Sequence, residues 1–351
     1  MFGQVKHKIL ALSVIISAII SSCSNTNKDF SSFEINGETQ GTTYSIIIVD
    51  ENKNVSKIDI DSLFKVFDNS LSTYIPGSVI SRLNDAIESV EIIDNSNFFK
   101  RCFNLSYSVY DKSEGLFDPS VFPLVKGWGF MNDLKSPLSQ LEVDSILEFV
   151  SFERGKLYDI SFNGNAINLQ KKAANFKIDF NAIAQGLSVD VVDEFLSKKG
   201  YTNYYIEIGG ELIARGHNRE GENWRIGVDV PKEKLTIREL ENVISLTEKA
   251  VATSGNYRKF YEVDGKKYAH TLNPKTGFPV QHSLLSATVV ANDAATADAY
   301  ATVFMVMGVE KTLEFVKNNS DLDLEVYLLY ADEKGNILRK MSPTFSNYLN
   351  Q

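Results

Sequence analysis

The chain has 351 residues, 43% of them hydrophobic and 23% charged, which are ordinary values for a globular protein and enough for one large domain or two small ones. Its net charge of -9 excludes the basic face that a nucleic-acid-binding protein needs. Two cysteines and four histidines exclude a zinc cluster.

Lys6, His7 and Lys8 precede an apolar run from Ile9 to Ile20. The run is short for a membrane span and carries the basic flank of a secretory signal. It closes on Ile20-Ser21-Ser22-Cys23, an aliphatic residue, two small ones and a cysteine, which resembles the lipobox of bacterial lipoproteins. Residues 1–22 are therefore expected to be a signal peptide, with Cys23 the lipidated start of the mature chain and 23–33 a polar tether. An uncleaved anchor, or an ordinary signal with a chance cysteine, is the alternative. With Cys23 lipidated, Cys102 has no intrachain partner. It lies among Phe98, Phe99, Phe103 and Leu105 and reads as a buried small hydrophobe.

Phe33 to Val49 reads as a strand pair turning at Gly37. Leu63, Phe64, Phe67 and Leu71 form a helical stripe within Ile58 to Leu71. A second helix is expected from Ser96 to Lys112, ended by Gly115, and a third from Pro137 to Val150. Ala182 to Lys199 is a helix stopped by Gly200. Tyr204 to Arg215, Trp224 to Val230 and Ser245 to Thr253 read as strands, and Lys259 to Ala269 as a hairpin turning at Asp264-Gly265. Leu284 to Val290 is a strand and Ala294 to Met307 a helix. Glu325 to Tyr330 and Ile337 to Met341 form a last hairpin around Lys334-Gly335. The strands do not alternate regularly with helices, so the expected class is α+β, mostly antiparallel sheet with inserted helices, in one domain over 34–347. No GxGxxG follows a strand and no GxxxxGK[ST] occurs, which leaves Rossmann and P-loop sites unsupported.

Several residues carry possible chemistry. Asp298 and Thr302 stand one helical turn apart, so a carboxylate and a hydroxyl share a face and make a hard-oxygen pair suited to Mg2+. A surface Asp and a Thr bonded to its own backbone is the plainer reading. His270 precedes the turn Asn273-Pro274-Lys275-Thr276-Gly277, as a base candidate or as a satisfied polar residue. Asp179 and the backbone near Ala182 could face a metal or a phosphate, or Asp179 or Asn181 could cap the following helix. The Glu207-Ile-Gly-Gly-Glu211 turn allows close backbone approach or a bulge. Phe117-Asp118-Pro119 could cup a flat ring or form a plain turn. Tyr74 could stack on an aromatic ligand or be structural.

The order of these segments is more specific than any one of them. Gly41-Thr42-Thr43-Tyr44, Ser72-Thr73-Tyr74 with Ser81-Arg82-Leu83-Asn84, Gly115 to Pro119, Trp128-Gly-Phe130, Asp179 to Gly186 with Asp190, Ile208 to Glu211, Trp224 to Gly227 with Pro231, Ala252 to Gly255, His270 to Gly277 and Ala297 to Thr302 follow one another along the chain. In that order they resemble the ApbE-type FAD:protein FMN transferases of the bacterial periplasm, over about residues 34 to 345. The resemblance implies an ApbE-like, T-fold-like domain that uses Mg2+ and takes FAD as substrate. It implies transfer of FMN to a Ser or Thr hydroxyl of an acceptor protein, such as a respiratory complex subunit or another exported flavoprotein, with release of AMP. By motif position, Gln40, Tyr74, Leu116, Phe117, Asp118, Asp179, Gln185 and Leu272 would contact FAD. Asp298, Thr302 and the carbonyl of Ala182 would hold Mg2+, and His270 would activate the acceptor hydroxyl. The implied location is the periplasmic face of a membrane, the inner one, through the lipid on Cys23.

The chain departs from the family pattern at four places. Gln40 replaces a usual Met, Gln185 a usual Lys, Asn273 a usual Asp after the His, and Asn181-Ala182 a glycine-rich centre. An FAD pyrophosphatase that releases FMN and AMP, and a lipid-anchored flavin-binding protein without turnover, are the rival readings.

Overall fold

β-Branched residues dominate the first folded segment, and it forms a hairpin of β1 (Phe33–Thr39) and β2 (Thr42–Ile48). The computed structural model describes residues 30–130, 137–231, 240–256, 260–263 and 266–349. The signal peptide, Cys23 and most of the tether therefore lie outside the described residues, as does the Asp264-Gly265 turn. The first hairpin turns at Gln40-Gly41 and not at Gly37. Gln40 and Gly41 have φ of 52° and 74°, the positive values that a two-residue hairpin turn demands. Gly37 sits within β1 opposite Tyr44, where a Cβ would lie 2.6 Å from the Tyr44 ring.

Helix α1 (Lys57–Leu71) starts at a capping box, in which the Ser56 side chain accepts from the Asp59 amide and the Asp59 carboxylate from the Ser56 amide. Then follow α2 (Val79–Asp85), β3 (Ser89–Ile93), α3 (Phe98–Lys112), α4 (Phe122–Gly127), α5 (Gln140–Leu147), β4 (Tyr158–Asn163), β5 (Ala166–Lys171) and α6 (Ala184–Lys198). The second half holds β6 (Tyr204–Ile208), β7 (Glu211–Arg215), β8 (Trp224–Asp229), β9 (Leu240–Leu246), β10 (Lys249–Gly255), β11 (Phe260–Val263), β12 (Lys266–Ala269), β13 (Leu284–Ala291), α7 (Ala294–Met307), α8 (Val309–Asn318), β14 (Glu325–Ala331) and β15 (Ile337–Met341). The single strand expected over Ser245 to Thr253 is two strands. β9 ends at Leu246, and the chain reverses through Glu248, whose φ is 54°.

The architecture is α+β. One sheet of eight strands runs β1-β2-β6-β7-β10-β13-β14-β15, and its neighbours pair antiparallel throughout. Both faces are covered. Ala287, Val289 and Ala291 of β13 join the core that holds α3 and α7, while Val290 joins a second core with β8, β9 and Phe345. Burial on two faces explains why β13 reads as a continuous apolar run and not as an alternation. A separate sheet, β3-β5-β4, packs with α2 and α3. The aromatic residues Phe99, Phe103, Phe152, Tyr158 and Phe176 are fully buried there. Cys102 lies in the same core, where burial pushes its thiol pKa up and leaves it an inert hydrophobe.

Candidate active site

At least five separate stretches of chain converge on a cavity of about 520 Å3. Tyr74, Leu116, Phe117, Asp118, Asp179, Ala182, Gln185, His270, Leu272, Asp298 and Thr302 all line it. Of the residues expected to contact FAD or Mg2+, Gln40 alone lies beside the cavity and not on its wall. Its Oε1 accepts from Ser188 Oγ at 3.4 Å on α6.

The wall formed by residues 178–182 is held from behind by Asn84. Asn84 Nδ2 donates to the Ile178 carbonyl at 2.7 Å, and the Ile178 amide donates to Asn84 Oδ1 at 2.8 Å. One carboxamide thus imitates a strand partner for an unpaired segment. Lys171 Nζ donates to the Asn84 carbonyl at 2.8 Å, and burial lowers its pKa to about 8. The Asp179 amide donates to the Pro119 carbonyl at 2.8 Å. Its carboxylate takes the Asn181 amide at 2.8 Å and Asn181 Nδ2 at 3.1 Å. Neither Asp179 nor Asn181 caps α6, so the capping alternative does not hold. Burial pushes the Asp179 carboxyl up to about 6. Asp118 does cap: its Oδ1 accepts the Ser120 amide at 2.7 Å and Ser120 Oγ at 2.5 Å, and its Oδ2 accepts the Phe152 amide at 3.2 Å. The carboxylate is thereby spent on the fold, and what Asp118 offers the cavity is position.

The floor is the crossing of α6 and α7. Asp298 is buried, and its Oδ2 accepts the Gly186 amide at 3.0 Å. Burial raises its pKa to about 7. Thr302 Oγ1 lies 3.3 Å from Ser254 Oγ on β10 and so faces the cavity, with no bond to its own backbone. Gln185 lies against the β6–β7 turn: a Cβ at Gly209, whose φ is 64°, would sit 1.9 Å from Gln185 Nε2. The paired glycines of that turn admit this side chain.

His270 follows β12 and is half-buried at the cavity wall. The turn after it is tightly organised. The Gly277 amide donates to the Asn273 carbonyl at 2.8 Å, and the Lys275 amide to Asn273 Oδ1 at 2.9 Å. Asn273 therefore shapes its own turn, a task for which its carboxamide oxygen serves as well as an Asp would. Trp128 Nε1 donates to the Gly277 carbonyl at 2.7 Å and ties the turn to the end of α4.

The lining is of two chemistries. Val121, Val125, Phe130, Tyr261, Leu272 and Pro274 make its apolar and aromatic part. Asp298, Thr302, Ser254, Glu211, Gln185 and Asn181 make its polar part. Asp118, Asp179, Glu211 and Asp298 are acidic, and among the described residues the lining includes no Lys or Arg. Sequence reasoning did not single out Tyr261 or Val306. Tyr261 stands in a strand of ordinary composition, and only its stacking on Tyr268 (centroids 5.2 Å apart) and Phe130 (5.4 Å) brings it to the wall.

The ApbE family model matches residues 40–328. The chain belongs to the ApbE family. A Haemophilus influenzae FAD:protein FMN transferase is 32% identical over 340 residues, covering 95% of this chain and 97% of that protein. The Escherichia coli K12 FAD:protein FMN transferase is 31% identical over 321 residues, covering 90% of this chain and 88% of that one. Among solved structures, the flavin transferase ApbE of Vibrio cholerae superposes with a TM-score of 0.77 at 29% identity, covering 91% of this chain and 99% of that one. The ApbE protein of Thermotoga maritima gives 0.75 at 26% identity, covering 92% and 100%. The eight-stranded antiparallel sheet and the cavity over α6 and α7 are thus seen here in an ApbE fold.

The residues present fit a divalent cation of the hard type. Among the described residues no group of three His, Cys, Asp or Glu could hold a metal by itself. One buried carboxylate with a free oxygen, one hydroxyl and a backbone carbonyl suit Mg2+, which keeps most of its shell for water and phosphate. Four carboxyls line the cavity, and a cation held among them would offset the charge of a bound diphosphate.

Proposed function

We propose that the chain is a Mg2+-dependent FAD:protein FMN transferase, which moves the FMN half of FAD to a Ser or Thr hydroxyl of an acceptor protein and releases AMP. The observation that carries this reading is the convergence of His270, Asp298, Thr302 and Ala182 on one cavity lined by both aromatic and polar residues. A dinucleotide has flat rings for the former and a diphosphate for the latter.

Asp298, Thr302 and the Ala182 carbonyl would hold Mg2+, which when bound offsets charge on the diphosphate oxygens. The chain's own residues do the rest. The Asp298–Gly186 bond fixes one carboxylate oxygen and leaves Oδ1 for the ion. Tyr74, 72% exposed at the rim, can close over a ring after the substrate enters. The His270 imidazole accepts the proton of the acceptor hydroxyl as the new phosphoester bond forms, and the P–O bond to AMP breaks. Half-burial places His270 where a second protein can present that hydroxyl. We further propose that Cys23 is lipidated and that the enzyme works from the periplasmic face of the inner membrane. Among the described residues no helix is long and apolar enough to cross a membrane. The lipid reading predicts that Cys23→Ser releases the chain from the membrane fraction; a variant still sedimenting with membranes counts against it.

The deciding experiment supplies the purified chain with FAD, Mg2+ and a candidate acceptor domain. Flavin fluorescence on the denatured acceptor, with stoichiometric AMP, is the expected result. AMP with free FMN and an unlabelled acceptor would instead identify a pyrophosphatase, and bound but intact FAD a carrier. Asp298→Ala should abolish metal-dependent turnover, and undiminished activity removes it from the metal site. His270→Ala should retain FAD binding and slow transfer by about 100-fold or more. Lost binding would make His270 a ligand contact and not the base.

A further inference from the structure

Asp190 is 4% exposed and lines no part of the cavity, yet its carboxylate makes two short bonds to another element. Its Oδ1 accepts the Ala294 amide at 2.7 Å, and its Oδ2 the Ala295 amide at 2.9 Å. These are the first two amides of α7, which have no partner within their own helix. The third, of Thr296, goes to the cap residue Asp293 at 2.8 Å.

The reverse arrangement lies one turn away. Asp298, on α7, accepts the Gly186 amide in the first turn of α6. Each helix thus lends a carboxylate to the other's leading amides, and the two bonds are one turn apart on antiparallel helices. The backbones touch between them. A Cβ on Gly186 would lie 2.3 Å from the Ala294 carbonyl oxygen. Gly186 permits this close approach, and the crossed carboxylates bridge the two helices on either side of it.

That spacing matters because the hard-oxygen site is divided between the same two elements. Ala182 precedes α6, whereas Asp298 and Thr302 ride on α7. We infer that Asp190 is a positioning residue for the cation site, setting the register of α7 against α6 so that Asp298, Thr302 and the Ala182 carbonyl meet at one point. The inference rests on the proposed Mg2+ role of those three groups. A carboxylate accepts both α7 amides, while an isosteric carboxamide accepts one and turns its NH2 against the other, which tilts the start of the helix.

The test is Mn2+ binding, read as loss of the free-ion EPR signal, by the purified full chain without flavin. Asp190→Asn and Asp190→Ser are compared with wild type and with Val192→Ala. Val192 is fully buried on α6, in a core that also holds Ala294, and its side chain supplies no hydrogen bond to either brace. Loss of an outer-shell partner weakens metal binding by about 10-fold or more, and that is expected of both Asp190 variants, with FAD binding in the absence of metal within about twofold of wild type. Val192→Ala, destabilised by lost packing, should bind Mn2+ as wild type does. Wild-type Mn2+ affinity in a folded Asp190 variant overturns the inference, and so does equal weakening in Val192→Ala, since general loosening would then explain the effect. If one Asp190 variant fails to fold, the other carries the comparison. A wild-type chain that binds no Mn2+ would instead remove the metal reading on which the inference stands.

Discussion

Tyr261 shows what a single side chain can disclose. Its hydroxyl is buried and has no hydrogen-bond partner among the described residues, while its ring is packed between Phe130 and Tyr268. An orphaned buried hydroxyl costs stability that the ring does not need to lose. Tyr261→Phe is therefore expected to raise the stability of the ligand-free protein by about 1 kcal/mol, read as a higher urea midpoint at unchanged slope; a lowered midpoint would mean that the hydroxyl has a partner after all. Other residues were legible from local spacing alone. The i,i+4 relation placed Asp298 and Thr302 on one helix face, and the turn after His270 marked that residue out. Asn84 was not legible in this way. Its role is to imitate a strand for Ile178, and nothing within its own segment encodes a partner so far along the chain. Gln40 adjoins the site in space, with its carboxamide oxygen accepting from Ser188.

At the scale of elements, strong periodicity was a reliable guide. Helix α7 lies where the alanine-rich run placed it, and α1, α3 and α6 differ from expectation by one or two residues at their ends. Turns were harder to read. Gly37 has the composition of a turn but serves to make room for the Tyr44 ring, whereas Gln40 accepts a positive φ that its side chain does not advertise. The β9–β10 reversal passes through Glu248 with no glycine to announce it. The three-stranded sheet was missed altogether, because β4 and β5 bury one face beneath α2 and α3 and carry Asp, Ser, Asn and Gln on the other. The connection between Gly277 and Trp128 likewise emerges only in three dimensions, since it joins segments 149 residues apart.

The whole molecule gathers buried carboxyls at one crossing. Burial raises Asp179 to about 6, and Asp190 and Asp298 to about 7 each. In an unfolded chain each would titrate near about 3.9. Between those limits the native state holds more protons than the unfolded one, so stability falls as pH rises from about 4 to about 7 and then levels off. The exposed carboxyls with lowered pKa, such as Asp61 and Asp332, act in the opposite direction but only at more acid pH. Thermal midpoints of the metal-free protein should therefore decline from pH 5 to pH 8, and Mg2+ should recover part of the loss at the upper end. A midpoint that climbs over that range is incompatible with three strained carboxyls.

The braces between α6 and α7 join residues 112 and 104 positions apart in the chain. No shorter stretch of polypeptide can contain the site, and a nascent chain that has not yet delivered α7 has not yet formed it. Substrate capture is in this sense a certificate of finished folding.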